Sequence, residues 1–300
     1  PDPHRRLPFA IAWEGTAARH LTGADVDPES VQRLCGGFWI GDEFGPALVR
    51  VSAAGEVEGW WPAEVEGAPV RSPDHPAERA SAARTRAFRV GRSRGFEGLG
   101  VQPGSGLLWA AFEAPLLDPE GGEEDFVRLI AFDPAARAWT GAEARLRLGP
   151  GAAALGDLQF LDRDRVIFIE RDWGEGHPSL ACPEGEASDD CFPDPARVKR
   201  VVLADLSTLD AEGVARRVGW IDLMDIADPA GAARLDTDAR GIEGRFAMPF
   251  TTIEGLRAAG EGRLMISVDN NLPGSAGRRL TYVDQSETVL IEAAEFLSAR

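Results

Sequence analysis

Four segments of this 300-residue chain repeat one plan, and the repetition restricts its fold more than any other feature. They are "DPESVQRLCGGFWIGDE", "FEGLGVQPGSGLLWAAFE", "GDLQFLDRDRVIFIERD" and "IEGLRAAGEGRLMISVDNN". Each opens on an acid, runs through a short strand-like piece, turns at Gly or Asp, continues as an apolar β-rich strand and closes on a second acid. The paired acids are Glu29 and Asp42, Glu97 and Glu113, Asp157 and Glu170, and Glu254 and Asp269, separated by 13, 16, 13 and 15 residues. Two antiparallel strands of about five or six residues with a tight turn fill that length. A hairpin brings the start of its first strand and the end of its second to one edge, so each repeat presents both acids on one rim. A single "GFWIGDEFGP" would read as a solvated loop, because charged side chains are mostly exposed. Four copies arranged radially aim their acids at a common centre.

Further strands follow the hairpins: "PALVRVSAAGEVEGWW" after the first, "FVRLIAFDPAARAWTGAEARLRL" after the second, and "VKRVVLADL" with "ARRVGWIDL" after the third. Four-stranded units repeated about an axis make a β-propeller. The expected fold is therefore all-β, one propeller domain over residues 1–300 with about five or six blades. Helix is expected only at "ESVQRL" and in the tail "IEAAEFLSAR", where "ETVLIEAAEFL" reads equally well as a closing strand. The hairpin starts lie 68, 60 and 97 residues apart, longer than a usual blade of about 40 to 45 residues. The excess falls in two long loops, "EGAPVRSPDHPAERASAARTRAF" and "ADPAGAARLDTDARGIEGRFAMPF". Loops of that length are commonly functional.

Charge narrows the partners. With 49 acidic against 32 basic residues the net charge is -17, which repels a nucleic-acid backbone and an anionic membrane surface and favours cations. No apolar run is long enough to span a membrane, so no insertion is expected. Among the basic residues only Lys199 is a lysine; it opens a strand and reads equally as a cation beside an anionic substrate or as a solvated edge residue. Cys182 and Cys191 bracket the polar loop "CPEGEASDDC" and are expected to form a disulfide, placing the protein in an oxidising compartment and leaving Cys35 as a free thiol.

The rim acids define the chemistry. Glu29, Asp42, Glu43, Glu97, Asp157, Glu170, Glu254, Asp269 and Asn270 offer oxygen donors only. Gathered carboxylates raise one another's pKa, and a hard divalent cation removes that cost. Calcium takes six to eight such ligands, whereas zinc and copper would need the histidine or cysteine absent from these positions. The plainer alternative pairs Arg94 with Glu97, and Arg171 with Glu170 or Asp172. With a cation bound, Glu43 or Glu170 is placed to act as general base, while Arg94 and Arg171 hold an anionic substrate through forked hydrogen bonds. Glu97, Glu170, Glu254 and Asp269 are expected to approach one another on one face. A serine nucleophile has little support: "PGSAG" carries Pro273 where an elbow needs Gly. His4, His20, His75 and His177 sit in loop-like sequence, with His75 in a loop able to fold over the centre but read as a surface turn, and Trp39, Trp60, Trp61 and Trp109 follow strand periodicity as core residues.

Read in order, "LTGADVDPES", "GFWIGDEFGPALVRVSAAGEV", "VRSPDHP", "SRGFEGLGVQP", "IGDLQFLDRDRVIFIERD", "KRVVLADL", "TIEGL" and "SVDNNLPGSAGR" resemble the phytase-like β-propeller family, described as having esterase-like activity. The resemblance spans roughly residues 21 to 280. It implies a secreted or periplasmic calcium-dependent hydrolase acting on a small anionic phosphate or carboxylate ester, and a further blade-like segment upstream of Pro1. The "DADDPAIW"-type segment associated with established β-propeller phytases is absent from the chain. What carries over is confined to the rim acids with Asn270, Asn271, Arg94 and Arg171. The alternative is a non-catalytic propeller, stabilised by calcium, that binds a partner through its long loops; the identity of a protein partner is not legible.

Overall fold

The computed structural model describes residues 25–78, 88–118, 120–233, 244–271, 274–280 and 282–300. By contact density the chain divides into two compact units, Pro1–Arg147 with Leu209–Ala215, and Leu148–Thr208 with Arg216–Arg300. His4, His20 and Pro273 lie outside the described residues, as do parts of both long loops.

In the first unit, β1 (Pro28–Leu34), β2 (Gly37–Asp42), β3 (Ala47–Ser52) and β4 (Val57–Pro62) form one antiparallel meander. A two-stranded ribbon follows, β5 (Glu64–Val65) with β6 (Ala68–Pro69). The second meander is β7 (Phe96–Val101), β8 (Leu108–Phe112), β9 (Val127–Asp133) and β10 (Ala138–Leu146). "ESVQRL" is thus strand, not helix. The turn that follows it has Cys35 at φ 52° and Gly36 at φ 74°, the left-handed pair that a two-residue hairpin needs. The side chain of Gln32 donates to the Leu99 carbonyl at 2.6 Å, setting β1 beside β7. Alternation along β2 leaves Phe38 at the surface and buries Trp39, which packs with Trp61 and Phe132, the latter in turn against Trp139. Trp60 and Trp109 are buried too.

In the second unit, β11 (Ala154–Phe160), β12 (Arg165–Arg171), β13 (Lys199–Leu209) and β14 (Ala215–Asp222) make a third meander. The ribbon of β15 (Ile226–Ala227) and β16 (Arg245–Phe246) precedes a three-stranded sheet of β17 (Ile253–Ala258), β18 (Arg263–Val268) and β19 (Thr288–Glu292), and the helix α1 (Ala294–Ser298) follows. The tail is therefore both of the things expected of it, a strand and then a short helix. Its core gathers Ile167, Ile169, Val201, Leu203, Met248, Phe250 and Ile266. Cys182 and Cys191 are disulfide-bonded and Cys35 is free.

An all-β fold built from propeller blades is what the sequence predicts and what these sheets are. The blade count differs: among the described residues there are four blade-sized sheets, not five or six. The long connections after β4 and β14, read from the sequence as loops, each carry a two-stranded ribbon among the described residues.

Candidate metal centre

All four leading acids of the repeats fall at β-bulges in the first strand of their sheets. Register slips by one between Pro28 and Ser30, between Phe96 and Gly98, and between Ile253 and Gly255, leaving Glu29, Glu97 and Glu254 without a strand partner. In β11 the slip lies between Leu155 and Leu158 and takes in Asp157. A bulge re-aims the side chain it frees, so a 13-to-16-residue spacing became a set of carboxylates turned out of their ladders. The closing acids sit opposite as hairpins require: Asp42 pairs with Pro28 and Glu170 with Leu155, while Glu113 and Asp269 directly follow β8 and β18.

In the first unit the structure brings Glu29, Glu43 and Glu97 together and adds two residues. Ligand oxygens of Asp27, Glu29 and Glu43 lie within 4.8 Å of one another, as do those of Glu43, Glu97 and Glu113. Glu43 belongs to both triads. Glu43, Glu97 and Glu113 are buried, at 6%, 3% and 4% exposure. The two turns that carry them meet closely, since a side chain at Gly95 would strike the Glu43 carbonyl. Asp42 has a different task. Its Oδ1 accepts from the Asp27 amide and its Oδ2 from the Gly45 amide, both at 2.8 Å, which fixes the backbone on either side of Glu43. The Glu43 amide in turn donates to the Asp27 carbonyl at 2.9 Å.

Burial and like charge act together here. At an effective dielectric of about 20, two carboxylates some 5 Å apart repel by about 3 kcal/mol. Burial, and then the charges of Glu113, Glu29 and Asp27, raise Glu43 to a pKa of about 9. Burial outweighs the backbone hydrogen bonds at Asp42 and raises it to about 7. Arg94 reaches Glu113 at 3.5 Å and is half-exposed. Elsewhere in this unit acids are neutralised in the ordinary way: buried Arg128 meets Glu124 at 2.7 Å, Glu143 at 2.8 Å and Glu66 at 3.1 Å. The triads around Glu43 are thus a concentration of buried negative charge, and their all-oxygen donor set fits a hard divalent cation.

Acids of the second unit are arranged otherwise. Arg171 donates to Glu254 at 3.1 Å, not to Glu170 or Asp172, and its guanidinium lies 4.7 Å from the Trp173 ring centre. Asp157 accepts from the Leu158 and Leu256 amides at 2.6 and 2.7 Å, and burial raises it to about 7. Glu170 departs from the expected grouping, because successive side chains alternate across a strand and it faces away from Arg171. Burial alone would raise its pKa, but Arg217, the Gly149 amide and Arg200 outweigh burial and hold it below the usual range. Those contacts measure 2.8, 2.8 and 3.3 Å. Asp269 accepts from the Asn271 amide at 3.1 Å, and the Asn270 side chain donates to the Asp284 carbonyl at 3.0 Å.

Several residues differ from their sequence reading. Lys199 is not a solvated edge residue but is wholly buried. His75 is no surface turn: it is buried, its Nδ1 accepts from the Ala77 amide, and burial lowers its pKa to about 4. Its loop is fastened to the acid-bearing turn by Ser72, whose hydroxyl donates to the Phe44 carbonyl at 2.6 Å. Asp27 was missed although it opens the first repeat segment, because only Glu29 was counted at that strand start; "DPE" held the signal, two acids flanking Pro28.

The model of the family described as "Esterase-like activity of phytase" matches residues 9–272. The chain belongs to this phytase-like family. No curated protein matches it. Among solved structures, the phytase-like chain is similar to a GH43 endo-arabinanase from Bacillus licheniformis at 9% identity and a TM-score of 0.29, covering 90% of this chain and 95% of that one. It is also similar to the Neurospora crassa Pan2 WD40 domain at 9% identity and a TM-score of 0.24, over 80% and 61% of the two chains. Among the described residues no helix is long and apolar enough to cross a membrane.

Proposed function

We propose that this phytase-like chain is an extracytoplasmic, calcium-dependent hydrolase of small phosphate or carboxylate esters, with its metal centre around Glu43. The observation that carries the proposal is the pair of interlocked carboxylate triads sharing that residue. Asp27, Glu29, Glu43, Glu97 and Glu113 are assigned as the holding residues, Asp42 as the residue that positions them. Calcium, when bound, supplies Lewis acidity toward a phosphoryl or carbonyl oxygen. Glu43 holds or accepts a proton, because burial, and then the neighbouring carboxylates, raise its pKa to about 9. Arg94, half-exposed beside Glu113, offers a forked donor to an anionic substrate. Glu254 with Arg171, Asp157, and Asp269 with Asn270 are assigned supporting positions, and Glu170 an anchoring one. The disulfide supports the oxidising compartment.

A screen of simple phosphate and acyl esters, with calcium and with a chelator, tests this reading. Turnover is expected with calcium only, and is expected to be lost in Glu43→Gln. Burial of Glu43 favours one competing outcome, a closed structural site. In that case calcium raises the melting temperature by binding the folded state, yet no ester is hydrolysed.

A further inference from the structure

The chain uses arginine for every basic side chain but one, and the exception is Lys199. That residue is fully buried at the start of β13. Its Nζ donates to the Asp172 carbonyl at 2.9 Å, to the Gly174 carbonyl at 3.0 Å and to the Thr251 carbonyl at 3.5 Å, and lies 2.7 Å from Asp172 Oδ1. An ammonium group offers three rotatable donors about a compact charge, whereas a guanidinium is a flat fork of five. Four converging oxygens, three of them backbone carbonyls, suit the first and not the second. The cage itself is firmly built: Asp172 Oδ2 accepts from the Arg197 and Val198 amides, and a side chain at Gly174 would meet the Pro195 carbonyl at 2.5 Å.

What the cage joins gives it a purpose. Asp172 directly follows Arg171, Gly174 follows Trp173, and Thr251 lies three residues before Glu254. These are the chain segments on either side of the Arg171 to Glu254 ion pair, with Trp173 lying over the guanidinium. We propose that Lys199 is a tethered ammonium ion filling a built cation site, and that this filled site positions Arg171 and Trp173 against Glu254. Lys199 is thus a positioning residue, and the site takes a small primary ammonium ion in place of the side chain. Burial lowers the ammonium pKa to about 8 against the pull of Asp172, in keeping with a dry cage. The proposal does not depend on the chain being a hydrolase.

Two measurements test it. Lys199 is the only ε-amine of the chain, so acylation followed by mass analysis reads it directly. The native protein is expected to leave Lys199 unmodified over a period in which the unfolded chain is fully modified; equal rates would overturn the proposal. In Lys199→Ala, amide protection at residues 171–176 and 251–254 is expected to fall. Ethylammonium chloride is expected to restore it, while sodium chloride at equal ionic strength and propanol at equal concentration do not. Restoration by propanol to the same extent would show that volume, not charge, was lost, and would overturn the proposal. Lys199→Met, of similar length without the charge, covers the case in which the alanine variant fails to fold: protection equal to the native protein's would refute the ammonium's role, and its loss supports it.

Discussion

Raising the pH from about 6.5 to about 8 is expected to destabilise the metal-free protein and to leave the calcium-loaded protein nearly unchanged. The sign follows from Glu43. Its folded pKa of about 9 stands above its unfolded value of 4.5, so between those values the folded state binds the extra proton, and stability falls as pH rises. Asp42 and Asp157, raised from 3.8 to about 7, act in the same direction up to that pH. His75 works oppositely, but only between its folded value of about 4 and its unfolded 6.5. Lys199, lowered from 10.5 to about 8, also opposes, and only above that lower value. The chosen window therefore isolates the acids. Each whole proton taken up is worth about 1.4 kcal/mol per pH unit. A divalent cation replaces that proton and flattens the dependence. Denaturation midpoints at several pH values, with calcium and with chelator, would show it; a midpoint that rises with pH in the metal-free protein would contradict the account.

Replacing Glu170 by Gln is expected to cost about 3 to 5 kcal/mol of stability, the range for breaking a buried ion pair by removing one partner. Glu170 is fully buried and accepts from Arg217, Arg200 and the Gly149 amide. Its loss strands two guanidinium groups and turns an acceptor toward the wrong chemistry. The calcium response should survive, since Glu170 is assigned an anchoring role. A variant of normal stability that no longer responds to calcium would return Glu170 to the metal centre. The pH sign agrees: a depressed carboxylate pKa gives stability that is present above the unfolded value and lost as pH falls through the folded one.

How much of this was legible depends on whether local spacing or tertiary placement decided it. Hairpin length follows from strand and turn geometry alone, so the rim positions of Glu29, Glu97, Asp157 and Glu254 could be read from the sequence, though not the bulges that turn them outward. The strands after each hairpin were legible for the same reason. Asp42 and Glu43 are adjacent in sequence, and nothing local told that one would hold two backbone amides while the other lay among carboxylates. The choice of arginine partners was equally hidden. Arg94 reaches Glu113, and Arg171 reaches Glu254 instead of Glu170, because contacts distant in sequence decided both and strand alternation turned Arg171 away from Glu170. Lys199 could not be placed from the sequence because Asp172, Gly174 and Thr251, which surround its ammonium, are distant in the chain, and the burial of His75 has no local signal in its Pro-rich loop.

The most direct test of the central claim is calorimetric titration of calcium into the native protein, Glu97→Gln and Glu43→Gln at neutral pH, with each variant's fold checked by circular dichroism. Each amide keeps the shape of the carboxylate and removes one charge from a triad of Glu43, Glu97 and Glu113. The account predicts saturable binding to the native chain, accompanied by proton release. It also predicts affinity at least about tenfold weaker, about 1.4 kcal/mol, in both variants. Equal affinity in all three proteins, or no binding to the native chain, would contradict it.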